Sequence, residues 1–160
     1  MEGMTHFNAR GEAHMVDVSE KGETVRSARA CGKIFVGSAV FRAILEGSAR
    51  KGDVLAVARI AGIMGAKRTS ELIPLCHIVP LTGCTVDFQS DETEGSVTAI
   101  CEARCTGKTG VEMEALTGVQ IALLTIYDMC KAMNREMVIS DIRLLEKNGG
   151  KSGHFVREKD

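Results

Sequence analysis

One long apolar stretch of the sequence carries side chains suited to proton transfer at both of its ends. Residues 111–133 begin with Glu112 and Glu114 and close with Asp128 and Lys131. Carboxylates and lysines with tuned pKa values act as general acids and bases. Each pair is also typical of an ordinary helix, because acidic side chains complement the dipole at its start and i,i+3 ion pairs form without any function. Both interpretations stay open at this point.

A second chemical feature is the loop Leu75-Cys76-His77, which directly follows Pro74. Histidine titrates near neutral pH and can bind or protonate a ligand. A single histidine is more often a hydrogen-bonded structural residue, so this feature also has two interpretations. Cys76 has no base beside it in the sequence, which argues against a thiol nucleophile.

The charge distribution favours a compact anionic ligand. The net charge of the 160 residues is only −1, yet residues 26–68 hold nine Lys and Arg against two acidic residues, and residues 69–130 show the reverse imbalance. A nucleic-acid-binding domain is usually basic as a whole, and 4% aromatic residues provide few stacking platforms. A local basic block fits a phosphorylated small molecule. Pairing of basic helix faces with acidic strand faces is the alternative explanation.

Two short segments imitate a phosphate-binding loop without completing it. Gly107-Lys108-Thr109 and Gly150-Lys151-Ser152 both match the end of the GxxxxGK[ST] motif. The opening glycine of that motif would fall at Glu102 and Leu145, so we reject a Walker-type nucleotidase. Flexible Gly/Lys loops beside an anion and ordinary exposed turns are both consistent with these segments.

The remaining composition predicts a reduced, metal-free protein of the cytoplasm. The six cysteines include no CxxC pair, and the four histidines are scattered, so a zinc site is not expected. The first twelve residues lack the apolar core of a signal peptide, and no run approaches the roughly 20 apolar residues of a membrane span. The cysteines are therefore expected to be free thiols.

The periodicity of hydrophobic residues, together with capping and turn-forming residues, predicts the helices and strands that must position these side chains. We expect strands at 25–36, 85–89, 96–105 and 137–145 and helices at 38–48, 54–67 and 111–133, with Asp53 as the N-cap of the second helix. This order suits an α+β fold, a ferredoxin-like antiparallel sheet with helices packed on one face. Residues 1–12 are predicted to be a mobile segment, 13–153 a single α+β domain and 154–160 a tail.

Six segments of the chain together resemble one enzyme family. They are MVDVS at 15–19, KGDVL at 51–55, RIAGIMGAKRTSELIPLCH at 59–77, GKTGVEMEALTG at 107–118, LTIYDMCKAM at 124–133 and GGKSG at 149–153. In this order they closely resemble the cyclic pyranopterin monophosphate synthases, also called molybdenum cofactor biosynthesis protein C. LIPLCH, GKTGVEMEAL and LTIYDMCKA are the most specific of these stretches. The terminal segments 1–12 and 154–160 lie outside the resemblance.

The resemblance implies a reaction and an assembly. The family converts (8S)-3',8-cyclo-7,8-dihydroguanosine 5'-triphosphate to cyclic pyranopterin monophosphate and releases diphosphate, a lyase step of molybdenum cofactor biosynthesis. The implied assembly is a homohexamer, a trimer of dimers with active sites at the dimer interfaces, and the implied partner is a small nucleotide-derived substrate rather than nucleic acid or membrane. The step is not an oxidation, so no redox cofactor is expected, although Mg²⁺ can accompany the triphosphate.

The resemblance also implies which positions form the site. Lys51 and Lys131 are expected to act in acid–base chemistry, with Asp128 orienting or charging one of them. Other site positions carried over from the matching motifs are Lys67, Leu75, Cys76, His77, Glu112, Met113 and Glu114, and Arg26 on the first strand is expected as a further phosphate contact. Of these, Arg26 and Lys67 would hold phosphates together with Lys147 or Lys151, while His77 and the 112–114 segment would hold the base.

Helix geometry adds an expectation about subunits. Glu114 and Asp128 are 14 residues apart, which is about 21 Å along one helix at 1.5 Å per residue. One compact pocket can hardly include both, so either two subunits share each site or only one helix end is functional.

Two further function classes stay in view: a non-catalytic nucleotide-binding or regulatory module, and an RNA-binding α+β module. The second is disfavoured, because the predicted strands lack the aromatic residues of RNA-binding sheets.

Overall fold

The described part of the chain alternates strands and helices in nearly the predicted order. A computed structural model describes residues 6–8, 10–49 and 52–158. Its elements are β1 (Thr24–Phe35), α1 (Ser38–Leu45), α2 (Val54–Lys67), α3 (Thr69–Leu72), β2 (Leu81–Asp91), β3 (Ser96–Gly107), α4 (Glu112–Cys130), β4 (Val138–Asn148) and β5 (Phe155–Val156). Among the described residues, no helix combines the length and apolar character needed to span a bilayer.

The strands form one antiparallel sheet in the order β2-β3-β1-β4-β5. β3 pairs with both β1 and β2, so β1 and β2 run parallel to each other with β3 between them. The same argument makes β3 and β4 parallel across β1. Two split β-α-β units therefore interlock, which is the ferredoxin-like arrangement. The predicted fold class is confirmed.

The core between sheet and helices is built from small side chains. Ala28 and Ala30 of β1 and Ala99 and Cys101 of β3 are buried on the face that α4 covers. At Gly32 a Cβ atom would lie 2.8 Å from a Val119 methyl carbon, so only glycine allows this approach of helix to strand. Small residues thus fill most of this core, since aromatic side chains make up only 4% of the sequence.

The two long helices contact each other through glycines. A Cβ atom at Gly62 of α2 would lie 2.8 Å from the backbone oxygen of Gly118 in α4. The high Ala and Gly content of α2 is what allows this close approach. The Asp53 side chain accepts a hydrogen bond from the Ala56 N–H at 3.0 Å, which confirms the predicted N-cap.

The structure extends or shortens several predicted elements. α4 ends at Cys130 instead of 133, because Lys131 is its C-cap residue. β2 is eleven residues long, more than twice the predicted length, since its pairing with β3 continues in both directions. The carboxyl-terminal segment contributes the short strand β5, in which Phe155 and Val156 pair with Lys147 and Glu146 of β4. Pairing of this kind between distant segments leaves little trace in local periodicity.

Candidate active site

A pocket of about 560 Å³ lies beside the end of the sheet where β2 begins and β3 ends. One wall is the loop 73–79 and the other is the segment 109–114 at the start of α4. Its lining residues are His6, Ile73, Pro74, Leu75, Cys76, His77, Val79, Thr109, Gly110, Glu112, Met113 and Glu114. The two predicted substrate-binding segments, 75–77 and 112–114, therefore meet in one pocket although they are distant in sequence.

Glu114 is the most unusual ionisable group of this pocket. It occupies the first turn of α4 and is only 4% exposed. Burial raises the pKa of the Glu114 carboxyl, and the nearby Glu112 charge raises it further, while the bond with its own backbone N–H acts in the opposite direction. A carboxyl with a raised pKa holds its proton closer to neutral pH, which suits proton transfer or hydrogen-bond donation.

The Glu112 carboxylate occupies space that is open only because residue 110 is a glycine. A Cβ atom at Gly110 would overlap with the Glu112 carboxylate, so this carboxylate folds back over the backbone of Gly110. Any larger residue at position 110 would displace it. The Gly-Val-Glu sequence at the start of α4 is thus needed for the position of a pocket side chain as well as for the turn.

His77 is fixed through one ring nitrogen. Its Nε2 atom lies 2.7 Å from the backbone oxygen of Val16. Because a carbonyl oxygen only accepts, Nε2 is the donor of this hydrogen bond, and Nδ1 is the ring nitrogen left for other contacts. Next to it, burial raises the pKa of the Cys76 thiol, and the Glu114 charge adds to this effect. A thiol with a raised pKa is a poor nucleophile at neutral pH, in agreement with the argument from the sequence.

Arg26 is clamped by two loops at the same end of the sheet. Its Nε donates to the Gly107 oxygen at 3.1 Å, and one terminal nitrogen donates to the Lys108 oxygen at 3.2 Å. Gly149 and Gly150 have φ values of 95° and 75°, and a Cβ atom at Gly150 would overlap with the Arg26 guanidinium. Glycine is therefore needed at position 150 both for the backbone conformation and for the place of Arg26.

Three further lysines surround this region. Lys147 donates to the Ser152 hydroxyl, which ties β4 to the turn that contains the exposed Lys151. Lys67 is the last residue of α2. The pKa of the Cys84 thiol on β2 is lowered first by its hydrogen bond with Cys101 and then by the Lys67 charge. These lysines and Arg26 give the region a positive charge suited to phosphate groups.

The predicted acid–base pair is at the other end of α4. Lys131 Nζ lies 2.6 Å from Asp128 Oδ1, and the two side chains are 52% and 58% exposed. Neither residue is among the described residues that line the pocket. The helix between Glu114 and Asp128 is continuous, so about 21 Å of helix axis separates them. Lys51, the third predicted catalytic residue, lies outside the described residues.

Comparison with known proteins decides the family. The MoaC family matches residues 15–150 of the chain. The chain belongs to the MoaC family. It is also 58% identical over 159 residues to a cyclic pyranopterin monophosphate synthase of Heliobacterium modesticaldum, an alignment that covers 99% of this chain and 100% of that relative. The resemblance inferred from the sequence motifs is confirmed.

Two residues beside the site of this MoaC-family chain were missed by the sequence analysis. His6 lines the pocket, although residues 1–12 were predicted to be a mobile segment. Lys108 donates to the Ser19 oxygen at 2.8 Å and lines a smaller cavity of about 210 Å³ that His77 also borders. In the sequence, the Gly-Lys-Thr segment around Lys108 is recognisable only as an incomplete phosphate-binding loop.

Among the described residues, no three His, Cys, Asp or Glu side chains converge as a metal site would require.

Proposed function

We propose that this chain is a cyclic pyranopterin monophosphate synthase of molybdenum cofactor biosynthesis. It would convert (8S)-3',8-cyclo-7,8-dihydroguanosine 5'-triphosphate to cyclic pyranopterin monophosphate and release diphosphate. The observation that carries the proposal is the 58% identity, over 99% of the chain, with a relative of that name. The pocket supports it, since about 560 Å³ is a volume typical of small-molecule sites.

The heterocyclic base is assigned to the pocket. Glu112 and Glu114 offer acceptors for the amino and ring N–H groups of a guanine-derived base, and His77 offers its second ring nitrogen, Nδ1. The buried Glu114 carboxyl, with its raised pKa, can also give or take a proton during the ring rearrangement. Carboxylates repel phosphate oxygens, so the triphosphate is expected to leave the pocket towards the basic residues.

The triphosphate is assigned to the basic residues at the same end of the sheet. Arg26 is held rigidly by two carbonyl oxygens, and Lys147 and Lys151 flank the glycine turn beside it. Closure of the cyclic phosphate requires an internal oxygen to attack the α-phosphorus while the bond to the diphosphate oxygen breaks. Fixed cations that stabilise charge developing on the phosphates would accelerate this step.

Lys51 and Lys131 are proposed as the general acid and base, with Asp128 orienting Lys131. The 2.6 Å ion pair of Asp128 with Lys131 supports this role, because it gives the ammonium group a defined direction. We propose no resident cofactor, since the rearrangement is not an oxidation; Mg²⁺ would enter only with the triphosphate. We also propose that the reaction takes place in the cytoplasm.

The separation of the two ends of α4 supports a site shared between subunits. If the pocket and the Asp128–Lys131 pair serve one substrate, the pair must come from a neighbouring chain, because about 21 Å of helix axis separates Glu114 from Asp128. A two-fold axis that brings the two ends of opposite helices together would create two equivalent sites. We therefore propose that the chain works as a dimer within a homohexamer, a trimer of dimers.

The proposal is tested by incubating the purified chain with the cyclic dihydro-GTP substrate. Stoichiometric formation of diphosphate and cyclic pyranopterin monophosphate is the expected result. The same assay with and without a chelator tests the role assigned to Mg²⁺. A non-catalytic binding module would hold the nucleotide but release no diphosphate, and that outcome would contradict the proposed function.

A further inference from the structure

The amino-terminal residues 6–8 and 10–14 form a small hairpin, called here the amino-terminal hairpin. Phe7 pairs with Ala13 as an antiparallel bridge. On either side of it, the His14 N–H donates to the His6 oxygen at 2.9 Å and the Asn8 N–H donates to the Glu12 oxygen at 3.0 Å. The two arms are thus connected by backbone hydrogen bonds, and His6 has a defined place on one arm.

Asn8 closes the turn of the amino-terminal hairpin. Its Oδ1 atom accepts from the backbone N–H groups of Arg10 at 2.9 Å and Glu12 at 3.0 Å. Gly11 has a φ of 77°, a conformation that glycine adopts at little cost. The amino-terminal hairpin is therefore held together locally, without contributing a buried side chain to the core.

The chain leaving this hairpin is attached to the pocket. The Val16 oxygen, two residues after His14, accepts from His77 Nε2 at 2.7 Å. On the other arm, His6 lines the 560 Å³ pocket that Glu112 and Glu114 also line. The amino-terminal hairpin is therefore fastened beside the pocket at its base and reaches it with one imidazole.

We propose that the amino-terminal hairpin is a lid of the pocket and that His6 is an additional substrate-binding residue, one that contacts the heterocyclic base. This inference rests on the proposed function. An imidazole can donate to a ring carbonyl, accept from an N–H group and pack flat against a heterocycle. The base is the expected contact, because Glu112 and Glu114 line the same pocket and disfavour phosphate in it.

The exposure of the lid residues fits this role. His6, Phe7 and Gly11 are exposed, and a segment with few buried contacts opens at little cost in free energy. Substrate can therefore enter past the amino-terminal hairpin, and the gain from covering the base can close it again. The binding energy contributed by His6 should appear mainly in KM for the substrate, not in the affinity of ligands that lack the base.

The test compares His6→Ala with His14→Ala in the full-length chain. Both histidines belong to the same hairpin, but the His14 side chain is not among the described residues that line the pocket. We expect His6→Ala to raise KM for the cyclic dihydro-GTP substrate about tenfold, and His14→Ala to leave it unchanged. The inhibition constant of inorganic diphosphate, which has no base, should be the same in wild type and in both variants.

Other outcomes would overturn the inference in distinct ways. Wild-type KM in His6→Ala would exclude a contact with the base, and equal losses in both variants would show that only the hairpin fold matters. An equal loss in diphosphate affinity would assign His6 to the phosphates instead. Absence of product with the wild-type chain would contradict the proposed function itself, and this result is distinguishable from the other three.

Discussion

The two ends of helix α4 carry ionisable groups in opposite environments. At the amino end, Glu114 is 4% exposed and lines a pocket whose other walls come from distant segments. At the carboxyl end, Asp128 and Lys131 are more than half exposed and form an ion pair with each other. An exposed pair of this kind contributes little to stability, since water screens it. The role that we propose for this pair is catalytic.

The difference between the two ends of α4 shows which functional side chains are fixed in position by contacts within one chain. The pocket end has rigid supports: backbone oxygens hold His77 and Arg26, and glycines leave room for Glu112 and for Arg26. The far end has an ion pair between two exposed side chains. A catalytic group needs fixed geometry. In the shared site we propose, the Asp128–Lys131 pair would complete the pocket of the neighbouring subunit.

The largest effect is expected for the loss of the proposed acid–base lysines. Lys131→Ala and Lys51→Ala should each reduce kcat more than about 10²-fold, the usual contribution of general acid–base catalysis. Circular dichroism and thermal unfolding should remain close to wild type for Lys131→Ala, because this side chain is exposed. A folded variant with wild-type turnover would exclude that lysine from the chemistry.

Mixing two inactive variants tests the shared site directly. If the pocket of one subunit works with Asp128 and Lys131 of another, a dimer of Glu114→Ala with Lys131→Ala keeps one intact site of two. Random re-association makes half of the dimers mixed, so about a quarter of wild-type activity should return. Mass spectrometry must establish that mixed oligomers form. Mixed oligomers as inactive as either parent would mean that each site belongs to one chain.

A smaller effect is expected from the glycine turn that supports Arg26. Gly150→Ala should raise KM about tenfold, because the new methyl group would push the guanidinium away from the phosphates. Gly153→Ala is a matched control: its φ is 62°, but a Cβ atom there has no heavy atom within 4 Å among the described residues. Both variants should lose about 1 to 2 kcal/mol of stability from backbone strain. Equal KM values for the two variants would contradict the support of Arg26 by Gly150.

The smallest effect concerns the pH dependence of stability at the pocket end. Burial raises the pKa of Glu114 above its ordinary value of 4.5, so the folded chain binds its proton more tightly than the unfolded chain does. The contribution of Glu114 to the free energy of unfolding is therefore fully present below pH 4.5 and is lost as pH rises through the raised pKa.

Urea denaturation of Glu114→Gln across this pH range measures that contribution. The variant should gain stability relative to wild type as pH rises, because a neutral amide avoids the cost of a buried charge. Glu92→Gln is the control, since its side chain is exposed and is not among the described residues that line the pocket. A stability difference between Glu114→Gln and wild type that does not change with pH would contradict the burial of an ionising carboxyl.

Features that depend on neighbouring residues in the chain were predictable. Helical and alternating periodicities located the long helices and the strands, and Asp53 was identified as a cap because capping involves residues only three positions apart. The family also followed from contiguous motifs, which remain legible without any structure. Both succeed because the information lies within short segments.

Tertiary structure decided which of these segments meet. Local patterns hold no information on contacts between distant residues, such as His77 with Val16 or Arg26 with the loop at Gly107, since these depend on how the sheet assembles. The burial of Glu114, and hence its raised pKa, depends on packing around the start of α4 in the same way. His6 was missed for this reason. A polar segment without periodicity looks like a free terminus in the sequence, because the sequence does not show which distant segments form a pocket beside it.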